Sequence, residues 1–195
     1  MYNQATVQHE MGVKTQSVGL SAEAIVKVFN ELFLKSHNTL LCGGADEPIY
    51  APADKAFLQH RIVFSHNYAA SALHEVAHWC VAGENRRLLC DYGYWYAPDG
   101  RSAAQQQEFE LTEVKPQALE WLFSQAAGLT FRVSADNLES GLCASQTFKN
   151  RVYQQVGDYL NNKVPSRAQK FVEGLAQAAA LNMSLNYRDF NLSSL

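Results

Sequence analysis

The chain has 195 residues, of which 47% are hydrophobic and 18% charged, with a net charge of −3. That is long enough for one domain with a sizeable core and too apolar for disorder. The charge excludes a broad basic surface for nucleic acid or anionic lipid, and no apolar run approaches a membrane span. Residues 1–20 are polar, include Glu10 and Lys14, and lack the apolar centre of a signal peptide. They are expected to be a flexible N-terminal extension of a cytoplasmic protein, followed by a single domain over 21–180 and a flexible tail over 181–195. Cys42, Cys80, Cys90 and Cys143 are irregularly spaced and read as free thiols, mostly buried.

In chain order, Ser21 offers an N-cap to a helix whose apolar face is Ile25, Val28, Phe29, Leu32 and Phe33, ending near residues 36–38. Residues 42–60 carry Gly43-Gly44, Pro48 and Pro52 and read as a long irregular loop. Arg61-Ile-Val-Phe-Ser65 reads as a short strand. A helix is expected from about Asn67, with Gly83 as its stop. The aromatic run at 91–96 favours a strand, and Pro98-Asp99-Gly100 a turn. A helical stretch from Ser102 should reach a stop near Gly128, with Pro116 kinking it or opening its second part. Leu129-Thr-Phe-Arg-Val133 reads as a short strand. Ser145 begins a helix with Phe148, Val152, Val156, Tyr159 and Leu160 as its stripe, and Ser166 caps a last one carrying Phe171, Val172, Leu175 and Ala179. The sum is an α+β fold, a single mostly helical domain with a few short strands.

Residues 74–78 read His-Glu-Val-Ala-His inside the apolar stretch from Ser71 to Gly83. On a helix, residues four apart share a face, so His74 and His78 can present two imidazoles to one metal ion. Glu75 lies about 100° around from His74, within reach of the metal or of a reacting water. Two imidazoles hold a catalytic metal weakly, so a third ligand is expected, and a carboxylate is the usual choice. The downstream helix offers Glu108, Glu110, Glu113 and Glu120. Glu113 is the first choice, because Pro116 and Gln117 would back the metal face, and Glu110, three residues earlier, is its rival. Such a centre supports two chemistries. Zinc with Glu75 as general base gives peptide hydrolysis, which the pentapeptide alone favours. Ferrous iron gives hydroxylation.

The surrounding residues point to the second. Asp46-Glu-Pro-Ile-Tyr50, His60-Arg-Ile-Val-Phe64, His66, the stretch from Ser71 to Cys80, Tyr92-Gly-Tyr-Trp-Tyr96, Pro98-Asp-Gly-Arg101, Glu113-Val-Lys-Pro-Gln-Ala-Leu119 and Asp136-Asn-Leu138 come in that order. Together they resemble the bacterial elongation factor P hydroxylase family over roughly residues 22–175. The resemblance implies a non-haem metal hydroxylase with a metalloprotease-like HExxH helix, outside the jelly-roll oxygenases. Inserting oxygen into a C–H bond needs a redox metal, so iron (Fe2+) is the expected cofactor, with zinc as an alternative occupant because the affinity order favours it. The resemblance also implies elongation factor P as protein substrate, hydroxylated on its β-lysylated lysine, with no direct nucleic-acid or membrane partner. The matching ligands would be His74, His78 and a carboxylate of the Glu113 block.

Further candidates surround that centre. Asp46, Glu47 and Asp99 would suit the ammonium groups of a β-lysyl-lysine. Tyr50 sits beside the first two in the long loop. His60 and His66 would bind substrate or orient a ligand. Tyr94, Trp95 and Tyr96 would stack on an aliphatic lysyl chain or meet its charge. Asp136-Asn137 favours a turn, and Arg86-Arg87 would complement the dipole at the end of the metal helix.

Overall fold

The computed structural model describes residues 19–93, 101–135, 143–181 and 185–195. Among the described residues, five α-helices, four short 3-10 turns and a small sheet agree with the α+β expectation. Helix α1 (Ala22–His37) is capped by Ser21, whose side chain accepts from the Ala24 amide, and ends where Asn38 turns left-handed at φ 49°. Its buried face is Ile25, Val28, Phe29 and Phe33.

The sheet holds β1 (Thr39–Ala45), β2 (Ile49–Ala51) and β3 (His60–Ser65) in the order β1-β3-β2. β1 runs parallel to β3 and β2 antiparallel to it. Ile62 in the middle strand is flanked by Leu41 and Tyr50 in register, and all three are buried. Asn30 of α1 covers the outer side of β1: its side chain donates to the Leu41 carbonyl at 3.1 Å and accepts from the Leu41 amide at 2.8 Å. The expectation of an irregular loop over 42–60 is therefore corrected at both strands. Gly43-Gly44 belongs to β1 rather than to a free turn. A Cβ on Gly43 would meet the Phe64 ring at 2.6 Å, and Gly44 at φ 98° lies where the pairing with β3 shifts register.

Helix α2 (Ala69–Val81) buries Ala72, Leu73, Val76, Ala77, Trp79 and Cys80. It ends because Ala82, the residue after Val81, is extended, and Gly83 is not a left-handed stop. Its last carbonyls are taken by arginines instead. Arg167 donates to Cys80 and Ala82 at 3.2 and 2.7 Å, and Arg87 to Ala82 at 2.7 Å. Trp79 anchors the helix in a ring cluster with Phe29 and Phe33, at centroid separations of 5.2 and 5.0 Å.

Helix α3 (Ala103–Ala126) opens on a capping box between Ser102 and Gln105 and ends before Gly128 at φ 69°. It runs through Pro116 as one helix, so the proline does not open a second one; it removes one backbone bond only. Helix α4 (Gln146–Asn161) is capped by Ser145. Helix α5 (Ser166–Ala178) starts one residue earlier than expected, with Pro165 at the cap and Ser166 inside.

One expected strand is absent among the described residues, and the other, over 91–96, is described only at 91–93, where no strand forms. Residues 129–135 pair with no strand; Phe131 packs on Trp121 instead. Residues 90–93 form a tight helical turn with Asp91, Tyr92 and Gly93 left-handed at φ 46°, 59° and 69°. The segment expected to be a tail is packed in part: Phe190 is buried edge-on against Trp121, and Gln125 donates to the Asp189 carbonyl at 2.9 Å. No helix among the described residues is long and apolar enough to cross a membrane.

Candidate metal centre

Helices α2 and α3 pack side by side, and their facing polar residues meet in one small cluster. Because α2 turns Leu73, Val76, Ala77 and Trp79 into the core, His74 and His78 emerge together on its remaining side, one turn apart. Opposite them α3 brings Glu113, whose side chain is only 2% exposed. The Nε2 atoms of the two histidines are 3.1 Å apart. Glu113 Oε1 lies 3.3 Å from His78 Nε2, and its Oε2 3.7 Å from His74 Nε2. One donor atom from each of the three lies within 4.8 Å of the others. Three donors about 2.1 Å from one metal would stand about 3.0 Å apart at right angles and about 3.4 Å apart in a tetrahedron. Two of the observed separations, 3.1 and 3.3 Å, fall in that range and the third, 3.7 Å, lies just beyond it, so the two nitrogens and the carboxylate are close to the spacing of ligands on a divalent ion of the borderline class.

Charge supports the geometry. Burial alone would lower the His74 pKa, but the carboxylates of Glu120, Glu113 and Glu75 outweigh it and carry it to about 10. Burial would raise Glu113, yet the charges and hydrogen bond of His78, then His74 and Gln117, bring it down to about 2. The cluster is an acidic basin that demands a cation. Glu75 makes no hydrogen bond or ion pair among the described residues. Burial pushes its carboxyl above the ordinary value, aided by Glu113 and Asp91 and opposed by His74 and His78.

Behind these groups, α3 presents one continuous polar stripe. Glu113, Gln117 and Glu120 recur at helical spacing and all are buried. Gln117 donates to Glu113 Oε2 at 3.4 Å and exchanges two hydrogen bonds with the backbone of Ser134, at 2.9 and 3.0 Å. Glu120 Oε2 lies 2.8 Å from His74 Nδ1. The spacing marks the stripe in the sequence, but nothing in the spacing says which carboxylate meets the back of an imidazole.

The remaining candidates fall elsewhere. Glu110, the rival ligand, has both oxygens engaged by Ser145: it accepts from the amide at 3.0 Å and from the hydroxyl at 2.6 Å. It ties α3 to the start of α4 instead. Tyr50 is buried, its ring stacked on Tyr92 at 4.3 Å and its hydroxyl donating to the Arg87 carbonyl at 2.8 Å. Both its ring and its hydroxyl are thus engaged within the protein. His60 accepts from the Ala53 amide at 3.1 Å. His66 is exposed at φ 51° and stacks on Tyr68. Asp46 and Glu47 are exposed in the turn between β1 and β2. Tyr94, Trp95, Tyr96, Asp99, Asp136 and Asn137 lie outside the described residues.

The family model described as elongation factor P hydroxylase matches residues 28–190, a span that includes every residue of the cluster. A curated protein of Haemophilus influenzae, elongation factor P lysine hydroxylase, is 44% identical over 173 residues, covering 89% of this chain and 97% of its own length. The chain belongs to the elongation factor P hydroxylase family.

Proposed function

We propose that this protein hydroxylates the β-lysylated lysine of elongation factor P, using a non-haem iron held by His74, His78 and Glu113. The observation that carries the reading is the convergence of two imidazole nitrogens and one buried carboxylate within 4.8 Å, in a chain that matches the hydroxylase family over most of its length. Inserting oxygen into an unactivated C–H bond needs a redox centre, which iron supplies when bound. The chain's own residues do the rest. His74, His78 and Glu113 would hold the ion with three donors and so would leave coordination positions for the reactants. Glu75, unpartnered beside the ligands and held by burial above its ordinary pKa, is the group available to take or return a proton. The HExxH helix is thus shared in form with metalloproteases, but the family match gives no support to a peptidase.

Asp46 and Glu47 are exposed and would offer carboxylates to the ammonium groups of the β-lysyl-lysine. His60 and His66 lie on the strand and turn that lead into α2. In this reading the partner is a protein, elongation factor P.

The test is reconstitution. Metal-free protein loaded with ferrous iron, mixed in air with purified β-lysylated elongation factor P and excess ascorbate as the two-electron reductant, should convert its modified peptide to a species heavier by about 16 Da, one oxygen atom, the second atom of O2 leaving as water. Omitting iron or oxygen should abolish the gain. Equal conversion with zinc alone would overturn the iron assignment, and no conversion by the iron-loaded protein would overturn the hydroxylase reading.

A further inference from the structure

We propose that Glu120 is a positioning residue of this centre: its carboxylate holds the Nδ1–H of His74 and thereby commits the Nε2 lone pair to the metal. The inference rests on the metal reading above and extends it from the ligands to the group that aims one of them.

The argument is geometric. Glu120 Oε2 lies 2.8 Å from His74 Nδ1. An ionised carboxylate only accepts, so Nδ1 must be the donor. A neutral imidazole has one N–H, and placing it at Nδ1 leaves Nε2 free to coordinate. Nε2 is the nitrogen that faces His78 and Glu113. Glu120 is 8% exposed, and His74 is its one hydrogen-bond partner among the described residues. A carboxylate so far from water is costly unless paired, and here the pair is a proposed ligand. The brace is also one-sided. His78 has no partner at Nδ1 among the described residues. Loss of Glu120 should therefore disturb one imidazole and spare the other, which a general loosening of the fold would not do.

The two carboxylates of α3 divide the work. Glu113 faces the open side of the imidazoles, and Glu120, two turns on, faces the back of His74. Such outer carboxylates fix ring orientation and raise ligand basicity, and their loss costs metal affinity about 10–100-fold.

Zinc(II) serves as a diamagnetic probe. Affinity is measured by calorimetric titration of the metal-free protein, and the tautomer of each histidine by nitrogen-15 correlation spectra of the zinc-loaded form. For Glu120→Ala the affinity should fall about 10–100-fold. For Glu120→Gln, whose amide oxygen still accepts the Nδ1–H, it should fall less. The His74 Nδ1–H signal of the unmutated protein should be lost in Glu120→Ala, with the His78 signals unmoved. If Glu120→Ala does not fold, the Glu120→Gln titration and spectrum decide alone. Zinc affinity unchanged in a folded variant, or His74 and His78 disturbed equally, would overturn the proposal. Failure of the unmutated protein to bind zinc would instead bring down the metal reading itself, so the two failures are distinct.

Discussion

The Nε2 atoms of His74 and His78 lie 3.1 Å apart, closer than two imidazoles on successive helical turns need be. The rings lean together over Glu113, which lies 3.3 Å from the second of them. Two protonated nitrogens cannot share that space, so the pair accommodates one bridging proton or one metal ion.

Removing either side of that arrangement should empty the centre without unfolding the chain. His78→Ala and Glu113→Gln are each expected to weaken metal binding by more than about 100-fold, beyond the loss typical of an outer contact. Metal content after dialysis, measured by elemental analysis, checks this. Full occupancy in Glu113→Gln would exclude it as a ligand.

Glu110 supplies the contrast on the same helix. With both oxygens bonded to Ser145, it braces the start of α4. Glu110→Ala should cost about 1–2 kcal/mol of stability by loosening a cap, yet leave metal affinity unchanged. Urea unfolding and metal titration on the same preparation separate the two quantities. A drop in affinity without a drop in stability would restore Glu110 as the ligand.

The metal-free protein should show two stability losses with pH. His74 is raised from 6.5 to about 10 in the folded state, so its contribution is complete below 6.5 and vanishes as pH rises through about 10. Glu113 is lowered from 4.5 to about 2, so its contribution is complete above 4.5 and vanishes as pH falls through about 2. Urea midpoints in chelator should thus fall on either side of the interval from 4.5 to 6.5. Zinc should abolish the alkaline loss, because the ion takes the place of the His74 proton. A midpoint that is flat from 6.5 to 10 would contradict the assigned His74 charge.

Trp79 links the site to the core. It is fully buried against Phe29 and Phe33, and the Arg167 guanidinium lies 4.4 Å over its ring. Trp79→Ala should cost about 3–5 kcal/mol, read from chemical denaturation, and loosen the helix that carries both histidines. A variant with unchanged stability would mean that α2 is held by its other contacts.

What could be read from the sequence were the features written locally. The caps at Ser21, Ser102 and Ser145 lie at the starts of α1, α3 and α4, and the His-Glu-Val-Ala-His spacing puts two imidazoles on one face of α2. What could not be read depends on distant partners. β1 hides behind Gly43-Gly44, which reads as a turn until β3 and Asn30 supply its hydrogen bonds. Residues 129–133 have strand composition but no strand beside them, and Gln117 claims the backbone at Ser134 instead. The division of labour among Glu110, Glu113 and Glu120 is likewise set by where α4 and α2 lie against α3, not by helical spacing.

The central claim is tested most directly by the intact mass of β-lysylated elongation factor P recovered after co-expression with this protein or with its His74→Ala variant. A gain of about 16 Da with the unmutated protein, and none with the variant, is the predicted result. The same mass in both samples, with β-lysylation confirmed and both proteins folded and iron-loaded where they can be, would contradict hydroxylation at this centre.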